Sequence, residues 1–140
     1  MRIAVLSETD SAEPRVAAVP ETVKKFLALG ADVTVQSGAG LKAGMPDSEY
    51  EAVGASVAAS AEEAARDADL ILKVRRPAAD ELKLLKRGAV VVAIMDPYGH
   101  EAELQAMAEA GVDGFAMELM PRITRAQVMD VLSSQANLAG

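Results

Sequence analysis

The stretch LILKVRRPAADELKLLKRGAVVVAI, residues 70–94, decides the fold. It contains two short apolar runs, 70–74 and 89–94, which are typical of strands buried on both faces. Between them, residues 79–88 place apolar side chains at helical spacing and end in Gly88, a residue common just past a helix end. A strand, a helix and a strand in this order predict a β-α-β unit with two parallel strands.

The same alternation extends along the chain in both directions. Four further strand-like runs are predicted, at residues 2–6, 31–36, 55–58 and 112–117. Helical patterns are predicted at residues 20–30, 60–68, 79–88 and 100–111. Pro20 favours the start of the first helix, and Ser60 with Glu63 forms a capping box for the second. We therefore expect a three-layer α/β domain: an open, mostly parallel, Rossmann-like or flavodoxin-like sheet with helices on both faces.

Composition limits the class of protein. At 140 residues, 51% of them hydrophobic, the chain is long enough for one complete core and too short for two ordinary domains. The net charge is −7 and the 14 Lys and Arg residues are scattered, which argues against a nucleic-acid partner. With no Cys, thiol catalysis and thiolate metal sites are excluded. No secretory signal or bilayer-length apolar run is recognisable, so we expect a cytoplasmic chain that does not enter the membrane.

The segment SGAGLKAG, residues 37–44, has the spacing of a GxGxxG/A dinucleotide fingerprint after a predicted strand. In a true fingerprint the helix begins at once, so that its amino terminus can hold a pyrophosphate. Here Gly44 and Pro46 delay the next helix to about Asp47. We therefore predict a glycine-shaped turn here and not a phosphate site.

Cations are predicted at the carboxyl edge of the sheet, where ligands of open α/β sheets bind. Arg15 follows the first strand, in SETDSAEPRVAAVP. Two alternatives stay open for it: an ion pair with a preceding acid (Glu8, Asp10 or Glu13), or a fork that holds a carboxylate or pyrophosphate. Three further cations end the fourth predicted strand and are expected near the same point: Lys73, Arg75 and Arg76.

The only histidine, His100, has no Cys or His beside it in the sequence with which to share a metal. It is predicted to begin a helix and to face solvent, because general acid-base work needs an orienting partner nearby. Asp96, with Pro97 and Gly99, is predicted to form a turn before it.

The most specific polar pattern lies at the end of the chain, in ELMPRITRAQVMDVLSSQANLAG, residues 118–140. Thr124 and Gln127 have capping-box spacing, so a helix is predicted to start there. Beyond the cap, polar side chains recur at intervals of three and four: Gln127, Asp130, Ser133 and Ser134.

These polar residues have two interpretations. They can simply cap and solvate a helix. Alternatively, they can hold a nicotinamide carboxamide, which needs one hydrogen-bond donor for its oxygen and one acceptor for its amide group. Arg122 and Asp130 supply one of each, and Ser133 serves as either.

Four runs carry a resemblance to a known family. IAVLSETDSAEPRVAAVPETVKK (3–25), QSGAG (36–40) and LKVRRP (72–77) are similar to alanine dehydrogenases and transhydrogenases alike. MELMPRITRAQVMDVLSSQANLAG (117–140) resembles nicotinamide nucleotide transhydrogenases in particular, at the amino-terminal domain of the NAD(H)-binding alpha subunit. Together these runs extend the resemblance over the whole chain.

The resemblance implies an oxidoreductase that passes hydride between NAD(H) on this component and NADP(H) on a partner, coupled to proton translocation through a membrane component. Arg122, Asp130 and Ser133 would contact the nicotinamide end of NAD(H), and Gln127 would reach the NADP(H) nucleotide. The implied partners are the NADP(H)-binding and membrane components, with a homodimer peripheral to the inner membrane. No residue is assigned an acid or base role.

One departure from the wider family bears on the reaction. Alanine dehydrogenases carry a His where this chain has Asp96 and a Lys where it has Arg75, both tied to keto-acid chemistry, whereas Arg15 is kept. The alternative of an amino-acid dehydrogenase fragment, similar to alanine dehydrogenase, is therefore disfavoured.

A second departure concerns the length of the chain. Family members continue past Gly140 into a dinucleotide-binding domain. We expect residues 1–122 to form the amino-terminal domain, residues 123–140 to begin an interdomain helix, and the isolated fragment to be inactive. A third interpretation is a non-catalytic module that dimerises through an exposed apolar stripe: Val128, Val131, Leu132 and Leu138.

Overall fold

The computed structural model describes residues 1–119, in which six strands form one wholly parallel sheet. The strands are β1 (Arg2–Val5), β2 (Asp32–Gln36), β3 (Ser56–Ala58), β4 (Leu70–Arg75), β5 (Val90–Ile94) and β6 (Asp113–Ala116). Their order in the sheet is β3-β2-β1-β4-β5-β6. All six predicted strands are confirmed, each to within one residue at either end.

Five helices connect these strands. They are α1 (Pro20–Ala28), α2 (Asp47–Ala52), α3 (Ala61–Ala65), α4 (Ala79–Leu82) and α5 (Glu101–Glu109). The predicted cap of α3 is confirmed, because Ser60 Oγ accepts a hydrogen bond of 3.2 Å from the Glu63 N–H. None of the helices in residues 1–119 has the length and apolar character needed to cross a bilayer.

The predicted length of α4 is wrong. The pattern predicts a helix over 79–88, but α4 ends at Leu82. Beyond that point the backbone tightens into turns, with the Leu84 N–H bonded to Glu81 O and the Leu85 N–H to Leu82 O. Leu85 is thereby brought into the core, at 9% exposure, so tertiary packing outweighs the helical periodicity of the segment.

The helices cover both faces of the sheet, as predicted. Val5 packs in the cluster on the side of α1 and α2, whereas Leu6 packs on the side of α3, α4 and α5. Right-handed crossovers explain the change of side, because the chain moves outward in one direction from β1 to β3 and in the other from β4 to β6. The neighbours β1 and β4 therefore form the switch point of the sheet.

A crevice opens at the carboxyl ends of β1 and β4. The Leu6 N–H still bonds Leu72 O at 3.3 Å, and beyond this pair the two strand ends separate. Chains that leave neighbouring strands toward opposite faces leave space between them, and ligands of open α/β sheets bind there. The switch point is therefore the place to look for a functional site.

The glycine-rich segment 37–44 forms a turn and a short 3-10 helix, Leu41–Ala43, and α2 begins only at Asp47, as predicted. The Asp47 carboxylate accepts hydrogen bonds from Ser37 Oγ at 2.6 Å and from the Gly38 N–H at 2.8 Å. The exposed donors of this turn are thus satisfied by the chain itself.

Gly40 in the same segment lies against the ring of Tyr50. A Cβ at this position would lie 2.7 Å from Tyr50 Oη and 2.7 Å from Met45 O. Tyr50 is fully buried, and its hydroxyl donates to Ala18 O at 2.9 Å. Gly40 is therefore needed for close packing, and the space beside it holds protein atoms and no phosphate cradle.

We expect Gly40→Ala to lower the free energy of unfolding by about 1–3 kcal/mol, because the new methyl group overpacks against Tyr50. Urea unfolding of the purified chain measures the change. Gly114→Ala is the matched control, since its Cβ would meet only the flexible ends of Met95 and Met107, at 3.3 and 3.4 Å. Equal losses in the two variants would contradict the packing role of Gly40.

Candidate functional site

One buried carboxylate joins two sides of the crevice. Glu13, in the loop after β1, is 3% exposed. Its Oε1 accepts a hydrogen bond of 2.7 Å from Arg15 Nε, and its Oε2 accepts one of 2.9 Å from Arg15 Nη2. Arg75, at the end of β4, donates from Nε to the same Oε2 at 3.1 Å. Of the two alternatives for Arg15, the structure shows the ion pair, with Glu13 as the partner.

This sharing stabilises the charged form of Glu13. Its pKa is lowered to about 2, mainly by the hydrogen bonds from Arg15, which outweigh the opposing effect of burial, and Arg75 adds to the effect. In return, the Glu13 carboxylate raises the pKa of Arg15. Of the two cations, Arg75 is the more accessible, with 51% of its side chain exposed against 34% for Arg15.

Glu8 holds the end of β4. Its carboxylate oxygens accept hydrogen bonds from the Val74 N–H at 3.1 Å and the Arg75 N–H at 2.8 Å. The pairing of β4 with β5 shifts register in this part of the strand, between Leu72 and Arg75. Burial raises the pKa of Glu8, although the two amide bonds and the charge of Lys73 oppose that rise. A side chain here replaces the acceptors that a neighbouring strand would supply.

Glu118 holds the end of β5 in the same way. It lies in a short 3-10 helix after β6, Met117–Leu119, and accepts from the N–H groups of Met95 and Asp96, both at 3.1 Å. Asp96 has a positive φ of 47°, a sparsely populated conformation for a residue other than glycine. The sequence did not predict that Glu8 and Glu118 accept hydrogen bonds from the backbone at the strand ends.

Arg76 links the two strand ends. Its Nη1 donates to Met95 O at 2.6 Å, and its Nη2 lies 2.9 Å from His100 Nδ1. Because an arginine only donates, Nδ1 accepts, and a neutral His100 then carries its hydrogen on Nε2, which lies 3.4 Å from Asp96 Oδ2. His100 is partly exposed, with 37% of its side chain accessible, but the expectation that it has no orienting partner is wrong, since Arg76 and Asp96 lie beside its ring.

Lys73 does not join the other cations. Its side chain is 1% exposed, and its Nζ donates to both carboxylate oxygens of Glu81 on α4, at 2.7 and 2.8 Å. The expected convergence of four cations is thus correct only for Arg15 and Arg75. Successive residues of a strand point to opposite faces, and Lys73 lies on the face of the sheet that α4 covers.

A cleft of about 670 Å³ opens beside this network. Its polar lining includes Thr9, Asp10, Arg75, Arg76 and His100, and Leu82 and Ile94 form part of an apolar wall. Within residues 1–119, no three His, Asp or Glu side chains are placed to hold a metal ion. The described residues can position a polar ligand at this edge, and the turn at Gly40 provides no phosphate cradle.

Arg122, Gln127, Asp130 and Ser133, the predicted cofactor-binding residues, lie outside the described residues. The boundary expected between residues 122 and 123 lies outside them as well. Their roles stay predictions. The described chain reaches Leu119, three residues before Arg122, and its last turn is attached to β5 through Glu118.

An open parallel sheet with a polar crevice at its switch point defines a doubly wound α/β domain. The model of the family described as alanine dehydrogenase/PNT, N-terminal domain, matches residues 4–139. The chain belongs to this family, and the resemblance predicted from the sequence is confirmed.

The relatives of this chain belong to two branches of the family, the transhydrogenases and the alanine dehydrogenases. The first segment of the NAD(P) transhydrogenase alpha subunit of Rhodospirillum rubrum is 43% identical over 145 residues, an alignment that covers 100% of this chain and 38% of the relative. The crystal structure of transhydrogenase from Sinorhizobium meliloti superposes with a TM-score of 0.95 at 58% identity, over 99% of this chain and 41% of that one. Alanine dehydrogenase of Mycobacterium tuberculosis is 30% identical over 100% of this chain and 37% of the relative. The chain is therefore more similar to these transhydrogenases, and it spans well under half of each relative.

We expect Glu13→Gln to lower the free energy of unfolding by about 1–3 kcal/mol near neutral pH, because Arg15 and Arg75 lose their shared partner. The folded-state pKa of Glu13, about 2, lies below its ordinary value of 4.5. The stabilisation is therefore complete above that ordinary value and is lost as pH falls toward 2.

Urea unfolding of both proteins between pH 6 and pH 3 tests this expectation. The difference between them should shrink as the pH falls. Glu21→Gln, which removes an exposed partner of Lys25, is the control and should change little at any pH. A Glu13→Gln loss that is the same at every pH would contradict the charge-based explanation.

Proposed function

We propose that the chain is the amino-terminal portion of the NAD(H)-binding alpha subunit of an NAD(P) transhydrogenase. The proposed parent enzyme passes hydride between NAD(H) and NADP(H), coupled to proton translocation. The observation that carries the proposal is the higher identity to transhydrogenase subunit alpha, 43%, than to alanine dehydrogenase, 30%, over the same full chain. The polar pattern of residues 118–140 supports the same branch.

The carboxyl edge of the sheet also supports this choice of reaction. Reduction of a keto acid needs a cation for the substrate carboxylate and a group that supplies a proton. Arg75, one of the two departures from alanine dehydrogenases, already donates to the Glu13 carboxylate, with which a substrate carboxylate would have to compete. Asp96 adds a further negative charge at this edge, close to His100. Direct hydride transfer between two nicotinamides needs neither a carboxylate site nor a proton donor.

The proposed contribution of this chain is orientation of the nicotinamide. Arg122 would donate to the carboxamide oxygen, Asp130 would accept from the carboxamide nitrogen, and Ser133 would complete the set. Gln127 would contact the NADP(H) nucleotide of the partner component. NAD(H), when bound, supplies or accepts the hydride. Orientation is valuable because the reacting atoms must be held at about 3–3.5 Å.

The proposal includes the assembly. The partners are the NADP(H)-binding and membrane components, the subunit is a homodimer, and its position is cytoplasmic and peripheral to the inner membrane through those partners. The adenosine and pyrophosphate of NAD(H) would be held by a second domain, since residues 1–119 contain no phosphate cradle at the glycine-rich turn.

We expect residues 1–140 alone to bind NADH no more tightly than the millimolar range. Half of a nicotinamide site without the pyrophosphate and adenosine contacts lacks most of the interactions that hold a dinucleotide. Titration by isothermal calorimetry or by NADH fluorescence measures the affinity. Micromolar binding would show that the nucleotide site lies within this chain.

A chimera tests the reaction itself. Residues 1–140 replace the matching amino-terminal segment of the Rhodospirillum rubrum subunit, and the product is mixed with the NADP(H)-binding component. We expect hydride transfer from NADH to an NADP⁺ analogue. Asp130→Asn and Arg122→Ala should lower kcat by roughly a hundredfold, because the nicotinamide is no longer held in its reactive orientation.

Lys24→Ala, on the exposed surface of α1, is the matched control for the chimera and should retain full activity. A folded chimera that oxidises NADH with pyruvate and ammonia, and not with the NADP⁺ analogue, would favour the amino-acid dehydrogenase alternative. Unchanged rates in both site variants would remove Arg122 and Asp130 from the proposed site.

A further inference from the structure

His100 lies between one arginine and two carboxylates. Its Nδ1 is 2.9 Å from Arg76 Nη2 and 3.5 Å from Glu103 Oε1, and its Nε2 is 3.4 Å from Asp96 Oδ2. The side chain is 37% exposed, so water can deliver or remove a proton. Histidine is the side chain that ordinarily changes its charge between about pH 5 and pH 8. The three neighbours therefore decide what a change of charge does to this part of the structure.

The neutral ring fits the contact with Arg76. An arginine has only N–H donors, so the ring must offer the lone pair of Nδ1 to the Arg76 guanidinium. The ring hydrogen is then on Nε2, which faces the Asp96 carboxylate. Arg76 follows β4 directly, and His100 directly precedes α5. In its neutral state, His100 therefore attaches the amino end of α5 to the end of β4.

The protonated ring cannot keep this contact. An imidazolium donates from both nitrogens, so Nδ1 and Arg76 Nη2 would point hydrogens at each other and would both carry positive charge. The carboxylates of Asp96 and Glu103 would then be the acceptors for the two ring nitrogens. The pKa of Glu103 is lowered, first by its own backbone N–H and then by His100, so this carboxylate is charged while a histidine titrates. Both states of the ring have partners, but the partners differ.

The other contacts of Arg76 do not involve the histidine. Its Nη1 donates to Met95 O at 2.6 Å, and its backbone N–H donates to Ile94 O at 3.1 Å. Both contacts hold the ends of β4 and β5 together in either state of the ring. Loss of the contact with His100 therefore frees only the loop of residues 96–100, which connects β5 to α5.

The charged groups around His100 come from several parts of the fold and line the same cleft of about 670 Å³. They are Asp10 in the loop after β1, Arg75 and Arg76 at the end of β4, Asp96 after β5 and Glu103 on α5. Glu101, also on α5, accepts a hydrogen bond from the Gly99 N–H, and α4 contributes only apolar residues to the lining. Two arginines thus face three carboxylates, so one proton on His100 balances the charge of the cleft.

We propose that His100 is a proton-sensitive contact whose protonation detaches the loop 96–100 from the end of β4 and removes the excess negative charge of the cleft. The backbone of the loop favours such a change, because Asp96 has a φ of 47°, a conformation that surrounding contacts must maintain. As the pH falls from 8 toward 5, the loop gains freedom and the cleft becomes less repulsive to an anionic ligand. This contact uses none of the residues proposed to touch a nucleotide.

Nitrogen NMR of the labelled 140-residue chain tests the proposal, because His100 is its only histidine and gives a single set of ring signals. At pH 8 the ring hydrogen should be on Nε2. As the ring takes up a second proton, the backbone order parameters of Tyr98 and Gly99 should fall with the same midpoint, whereas those of β2 should stay constant. Unchanged order parameters in the loop across the whole titration of the ring would overturn the proposal.

Two variants should move the midpoint of the ring titration in opposite directions. Arg76→Gln removes a positive neighbour and should raise the midpoint by about one pH unit. Asp96→Asn removes a negative neighbour and should lower it, and asparagine tolerates the positive φ at this position. Arg66→Gln, at an exposed arginine after α3, is the matched control and should leave it unchanged.

A fourth variant, His100→Gln, should make the loop independent of pH between 5 and 8. A loop that still gains freedom in this variant would assign the response to another group and overturn the role of His100. Equal midpoints in Arg76→Gln and Arg66→Gln would equally exclude the contact. The amide spectra report whether each variant is folded, and the readout needs no nucleotide, so it is independent of the NADH and hydride-transfer measurements.

Discussion

The constraint on which the rest of this structure depends is the change of direction between β1 and β4. At this point the chain leaves neighbouring strands toward opposite faces, so the strand ends separate and their amide groups lose their partners. Glu8 supplies the missing acceptors for β4. Glu118 does the same at the end of β5, the next strand in the sheet, which is not at the switch point. Two of the carboxylates at the polar edge of the sheet therefore serve the backbone, because they accept hydrogen bonds from the amide groups of the strand ends.

The same edge explains how one scaffold can serve two kinds of reaction. Glu13 neutralises much of the charge on Arg15 and Arg75 while holding the loop after β1 against the end of β4. This cluster stabilises the crevice, and its two arginines have a carboxylate partner within the protein itself. In the proposed transhydrogenase, the residues expected to orient the nicotinamide, Arg122, Asp130 and Ser133, follow Leu119 in the sequence.

The sequence predicted most of the fold and only some of the site. All six strands and the delayed helix at Asp47 were predictable because apolar runs and turn residues act over a few positions. The early end of α4 at Leu82 was not, because packing of Leu85 against the sheet decided it. Glu13 was named as one of three possible partners of Arg15. His100 was assigned no partner, although Arg76, 24 positions earlier, bonds its ring.

By itself, the sequence determined the parallel α/β class, the family and the residues expected at the nicotinamide. Periodicity, turn chemistry and motif spacing are local properties that can be read along the chain. Only the tertiary structure decided which charges meet. Glu8 reaches the Arg75 N–H across 67 positions, and Lys73 is buried against Glu81 instead of joining Arg15. These outcomes follow from strand order and crossover direction, which bring distant residues together in ways that no local pattern specifies.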